Sequence, residues 1–168
     1  RLNAGMRMHF DVVLPVKLTT ESARVYMVAL LRDFRAELES ALGVELSDER
    51  LRAAVQLHNR IRRLLEAMYN FRSRHPHLLP AADMYHAMKA AMIMDREEVR
   101  PLLESLYSAL TAGEPAPPPA GRKRILLSGG ICNHPDIYHL IENAGADVIW
   151  DDLCTGSRYF QGLVDEAG

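Results

Sequence analysis

The sequence predicts an α/β protein in which a helical segment is followed by the start of a parallel, doubly wound sheet. Three observations carry this. Apolar residues recur at intervals of three and four over much of residues 20–111, short β-branched runs replace that period after residue 123, and GEPAPPPAG (113–121), with four prolines in nine residues, lies between. The chain has 168 residues, 48% of them hydrophobic, so it can bury a core. Its formal net charge is −2. The clusters RIRR (60–63) and RKR (122–124) are too short for a nucleic-acid footprint and read as solvated faces. No apolar run approaches the roughly 20 residues of a membrane span, and the N-terminus has no signal-peptide core. A cytoplasmic protein that binds neither nucleic acid nor membrane is expected. Its two cysteines, Cys132 and Cys154, are expected to be reduced thiols.

Taken in order, FDVVLPV (10–16) reads as a short strand ending at Pro15. Val28, Leu31, Phe34, Leu38 and Leu42 then draw one stripe along a helix over 20–42, with Thr20 as N-cap and Gly43 just past its end. Leu51, Val55, His58, Ile61, Leu65 and Met68 repeat the pattern over 47–73, after Ser47 and the acids Asp48 and Glu49. A Met-rich helix is expected over 82–94 and another over 96–111, where Asp95 and Glu98 resemble a capping box and Pro101 lies inside. These elements define a first region, 1–113, the end of an α/β domain plus a helical domain. A stiff linker, 114–122, follows.

After the linker, RILLSGG (124–130) reads as a buried strand, HPDIYHLIENAG (134–145) as a helix and ADVIWDD (146–152) as a second strand. SRYFQGLVDEA is expected to begin another helix. Strand, helix, strand with short turns is a crossover unit with parallel strands, so residues 123–168 read as the first part of a Rossmann/flavodoxin-like domain. Open parallel sheets bind ligands at the carboxyl ends of their strands. SGGIC leaves the first strand there and DDLCTGSR the second, so both cysteines fall on that rim. Gly156 and Ser157 ahead of a helix would position backbone donors, and Arg158 would set a fixed positive charge near a Cys154 thiolate. From the residues alone, Cys154 as ligand and Cys154 as structural thiol stay open.

RILLSGG and then LIENAGADVIWDDLCTGSRYF, together with GVELSDERLRAAVQLHNRIRRLLEAMYNFRS upstream, resemble the dehydratase component (component D) of the 2-hydroxyacyl-CoA dehydratases, a family that includes the benzoyl-CoA reductases. The resemblance covers essentially the whole chain, and DDLCTGSR is its most specific part. It implies a subunit of an iron–sulfur radical enzyme that converts a 2-hydroxyacyl-CoA to an enoyl-CoA after an ATP-hydrolysing iron–sulfur activator delivers one electron. A related second subunit and an acyl-CoA substrate are implied partners. An aromatic-ring reductase subunit and a paralogue without a cluster are the alternatives.

By the same resemblance, Cys154 matches a thiolate ligand of a 4Fe–4S cluster. Gly156, Ser157 and Arg158, with Asp151 and Asp152, are expected to orient its loop, and Cys132 to pack at the rim. No residue here is assigned to catalysis. The family's other cluster cysteines are expected upstream of Arg1, making the chain an internal fragment that is inactive alone. Elsewhere, His58 falls on an apolar stripe and reads as a core histidine. His75 and His77 flank Pro76 without neighbouring ligands, and His134 and His139 are poorly spaced for chelation.

Overall fold

A computed structural model describes residues 8–166. The chain divides into two compact units, Arg1–Leu51 and Arg52–Gly168.

In the first unit, α1 spans Glu21–Leu42. Thr20 caps it as expected, its hydroxyl accepting from the Ala23 N–H at 3.2 Å. Gly43, at φ 65°, ends it by donating to the Glu39 carbonyl at 2.9 Å. The Glu39 carboxylate then takes the Leu46 N–H at 2.8 Å and an Arg35 N–H at 3.3 Å, fixing the turn that leads out of the helix. Residues 10–16 form no strand. They find no ladder partner among the described residues, and an extended segment without one is not a strand.

Helix α2, Asp48–Arg74, begins behind Ser47, whose hydroxyl accepts from Arg50 N–H at 3.3 Å. Its buried face in the second unit is Ile61, Leu65, Met68, Tyr69 and Arg72, spaced as one stripe. Helix α3, Ala81–Ile93, buries seven of its thirteen residues, among them Met84, Tyr85 and Met88, and α4, Arg96–Thr111, contributes Val99 and Leu103. Asp95 caps α4 through the Glu97 N–H at 2.8 Å, so the cap is a local turn rather than the expected reciprocal box with Glu98. The helix starts at Arg96 and accommodates Pro101 in its second turn.

The Pro-rich segment leads into β1, Lys123–Ser128, then α5, Asp136–Asn143, and β2, Ala146–Asp152. The two strands pair in parallel as a two-stranded sheet, which makes the protein α/β. The expected buried β1 strand is covered on one side only: Ile125 and Leu127 are half-buried whereas Leu126 is 61% exposed. Tyr138 of α5 and Val148 of β2 pack with Ala81, Ala82 and Tyr85, so α3 and the crossover share one core.

The register contains one irregularity with large consequences. Ile125 pairs with Val148 but Leu126 pairs with Trp150, so Ile149 is an extra residue on β2. Ala146 and Val148 are buried upstream of this bulge; downstream the phase changes and Asp151 is the buried residue.

Candidate functional site

The carboxyl ends of β1 and β2 turn into two loops that are tied to each other. Gly129 N–H donates to Asp152 carbonyl at 3.2 Å, continuing the ladder one step, and Cys154 N–H donates to Gly130 carbonyl at 3.2 Å. Thr155 completes the link: its hydroxyl donates to the Cys132 carbonyl at 3.0 Å and lies 3.3 Å from the Cys132 N–H. Leu153 is buried, whereas Cys154 is exposed on the rim. Both cysteines are free thiols, and Cys132 is half-buried with its Sγ 3.5 Å from the His134 carbonyl.

Arg158 lies against this rim. Its Nε and Nη2 donate to the two carboxylate oxygens of Asp152, each at 2.7 Å, and its Nη1 donates to Gly129 carbonyl at 3.0 Å. The Cys154 thiol lies close enough to act on this guanidinium electrostatically. Asp152 first and Cys154 second push the Arg158 pKa further up, and Arg158 in turn holds the Asp152 carboxyl below the usual carboxylate range.

Beneath the rim, Asp151 points the other way, into the core. Its Oδ1 accepts the Tyr69 hydroxyl at 2.6 Å and its Oδ2 accepts Arg72 Nη2 at 3.0 Å. Arg72 is 0% exposed and Asp151 2%. Burial, and then the Asp151 charge, push the Tyr69 phenol far up, so it stays a proton donor. The Arg72 guanidinium also lies over the Tyr69 ring, 4.5 Å from its centroid.

Gly156 is shaped by that carboxylate. A Cβ at this position would lie 2.9 Å from Asp151 Cγ and 3.1 Å from the Asp151 carbonyl oxygen, and closer still to Oδ1. This close approach leaves no room for a side chain, so glycine is required here. Among the described residues the helix expected from Ser157 is replaced by a 3₁₀ turn, Ser157–Tyr159, after which the chain passes through Gly162 at φ 78°. Gly156 and Ser157 therefore present no helix N-terminus, and the Gly156 N–H is used within the turn, donating to Leu153 carbonyl at 3.0 Å.

After that turn, Asn59 on α2 clamps the chain with both ends of its amide. It donates to Val164 carbonyl at 2.7 Å and accepts the Val164 N–H at 3.0 Å. Asn59 is fully buried whereas His58, expected in the core, is exposed. His58 stands one helical position, about 100°, from the buried Asn59. Partial burial and the neighbouring charges of Arg96 and Arg62 push the His58 pKa down. His77 Nε2 donates to the Ala116 carbonyl of the Pro-rich segment at 3.0 Å, and His134 and His139 are exposed.

Among the described residues no group of three or more His, Cys, Asp or Glu side chains converges to hold a metal ion. The donor chemistry present is thus one open thiol, Cys154, beside a fixed guanidinium at the rim of a parallel sheet. It fits one thiolate ligand of a cluster and not a complete set. No helix among the described residues is long and apolar enough to cross a membrane.

These features define an α/β chain that presents a cysteine-bearing loop at the carboxyl edge of parallel strands. Residues 4–168 match the family described as 2-hydroxyglutaryl-CoA dehydratase, D-component, and the chain belongs to that family. It is 29% identical over 162 residues to a benzoyl-CoA reductase subunit of Thauera aromatica, covering 95% of this chain and 41% of that protein. It is 24% identical over 156 residues to the (R)-phenyllactyl-CoA dehydratase beta subunit of Clostridium sporogenes, covering 93% and 41%. To the (R)-2-hydroxyglutaryl-CoA dehydratase beta subunit of Acidaminococcus fermentans it is 27% identical over 131 residues, covering 76% and 33%. The chain spans about two fifths or less of the length of these relatives.

Proposed function

We propose that the chain is part of a dehydratase subunit in which Cys154 supplies one thiolate to a 4Fe–4S cluster. The whole enzyme removes water from a 2-hydroxyacyl-CoA after an ATP-hydrolysing activator delivers one electron. The observation that carries this is the exposure of Cys154 on a loop otherwise fully tied down, with Arg158 beside it. When bound, the cluster supplies one-electron chemistry at low potential. The chain's own residues hold Cys154 at the rim, set a positive charge next to its sulfur and keep the loop from folding over it. The parallel pair of strands is then the opening of a Rossmann/flavodoxin-like sheet, and the enzyme is made whole in the cytoplasm by a related second subunit. The likeness to a benzoyl-CoA reductase subunit supports a second reading, reduction of an aromatic acyl-CoA ring.

The test is anaerobic purification of the complete enzyme carrying this chain, with assay of iron, acid-labile sulfide and turnover. Cys154→Ser is expected to lose cluster and activity while keeping its circular dichroism. Supplying 2-hydroxyacyl-CoA or benzoyl-CoA, with activator and ATP, separates the two readings. Retained iron, sulfide and turnover in the serine variant overturn both.

A further inference from the structure

We propose that Tyr69 and Arg72 of α2 are positioning residues for Cys154, acting through Asp151. What this does for a cluster rests on the function proposed for Cys154; the mechanical claim does not.

The physical route is short. Asp151 is the penultimate residue of β2, and the next residue, Asp152, grips Arg158, which also holds the Gly129 carbonyl of the facing loop at 3.0 Å. The Asp151 carboxylate also presses on Gly156, two residues beyond the thiol. One side chain therefore braces the loop from both sides of Cys154. Tyr69 and Arg72 fix that side chain from a helix more than seventy residues away in sequence, at 2.6 Å and 3.0 Å. The hydroxyl and the guanidinium take separate oxygens, which sets the carboxylate's rotation as well as its position.

Stability alone does not account for such an arrangement. A buried ion pair is often no better for stability than apolar residues of the same volume. Here Nε and Nη1 of Arg72 are buried without hydrogen-bond partners among the described residues, which adds to the cost. The surrounding positions of the stripe, Ile61, Leu65 and Met68, are apolar. What the ion pair achieves and an apolar pair cannot is a directional hold on the end of β2, after the Ile149 bulge has turned Asp151 inward.

Amide hydrogen exchange, resolved by residue, tests this in the full chain with Tyr69→Phe, Arg72→Met and, as a control for general destabilisation, Leu65→Ala. Tyr69→Phe keeps the ring in the core and removes only the hydroxyl donor. It is expected to speed exchange at the Cys154 N–H about tenfold or more, with a much smaller change at Met88 in α3. Leu65→Ala is expected to speed both in proportion. If Tyr69→Phe leaves Cys154 protection unchanged, or lowers it only as far as Met88 falls, the positioning role is refuted. Should Arg72→Met not fold, Tyr69→Phe decides alone. A variant that loosens the loop in a protein found to hold no cluster would sink the proposed function and leave this inference standing.

Discussion

The close approach of Gly156 to Asp151 makes Gly156→Ala a sharp test of the site's geometry. A methyl group there meets the Asp151 side chain, 2.9 Å at Cγ, and the carbonyl oxygen at 3.1 Å. Two relaxations are open. The loop moves away, as in an overpacked core, at about 1–3 kcal/mol. Alternatively the carboxylate swings off Tyr69 and Arg72, breaking a buried pair at about 3–5 kcal/mol, and even that leaves the carbonyl contact in place. The first route is cheaper. A net loss of about 1–3 kcal/mol is expected. Gly130→Ala is the matched control, because nothing lies within 4 Å of a Cβ there and its φ is not positive, so it should stay within about 0.5 kcal/mol of the parent. Urea unfolding followed by tryptophan fluorescence measures both, since Trp150 is the single tryptophan and its ring stands 5.2 Å from Tyr69. Equal midpoints for the two alanine variants would refute the packing argument. Adding Gly156→Ala to an Asp151→Ala background should cost less than adding it to the parent, because the obstructing carboxylate is gone.

Asn59→Ala leaves Val164 without both partners of its backbone and is expected to destabilise the second unit by about 1–3 kcal/mol. The same variant should raise the Glu166 midpoint in a carbon-detected NMR titration, because Asn59 and then Arg63 hold that carboxyl below its ordinary value. Glu39 is likewise held low, chiefly by the Leu46 N–H and also by Arg35. Its contribution to stability is therefore present above the ordinary carboxylate pKa and lost as pH falls through the lower folded value, so Glu39→Gln should flatten the acid limb of the unfolding curve. Thr20→Ala should lower the stability of the first unit by about 1 kcal/mol, read from its urea midpoint.

The helices were legible because their signals are local. Thr20 and Gly43 bracket α1 with side chain and φ as their residue types require, and the apolar intervals of α2 to α4 need no knowledge of the rest of the chain. Strands β1 and β2 were legible for the same reason, β1 ending at Ser128 ahead of the two glycines read into it, and with them the rim on which Cys154 is exposed. Residues 10–16 and 157–166 depart from their local pattern because a β-branched run is a strand only if a partner pairs with it, and an apolar start is a helix only if nothing interrupts it. Gly162, in the left-handed region, and the Asn59 clamp on Val164 supply that interruption. The glycine was a visible signal; the clamp, 105 residues away, was not.

The inward turn of Asp151 shows where pattern reading stops. Ala146 and Val148 face the core, so strict alternation sends Trp150 and Asp152 inward and leaves Asp151 at the surface. One extra residue at Ile149 reverses that assignment, and the bulge belongs to the pairing of two strands rather than to either sequence. A complementary clue did lie elsewhere. The stripe Ile61, Leu65, Met68 continues to position 72, where the sequence has arginine, and a guanidinium in register with a core demands a buried carboxylate. The acid that meets it stands near the end of β2, where DDLCTGSR supplies two adjacent candidates. The bulge sends one to the core and the other to Arg158. A single doubled aspartate thus serves both the interior and the rim, with Cys154 two residues further on.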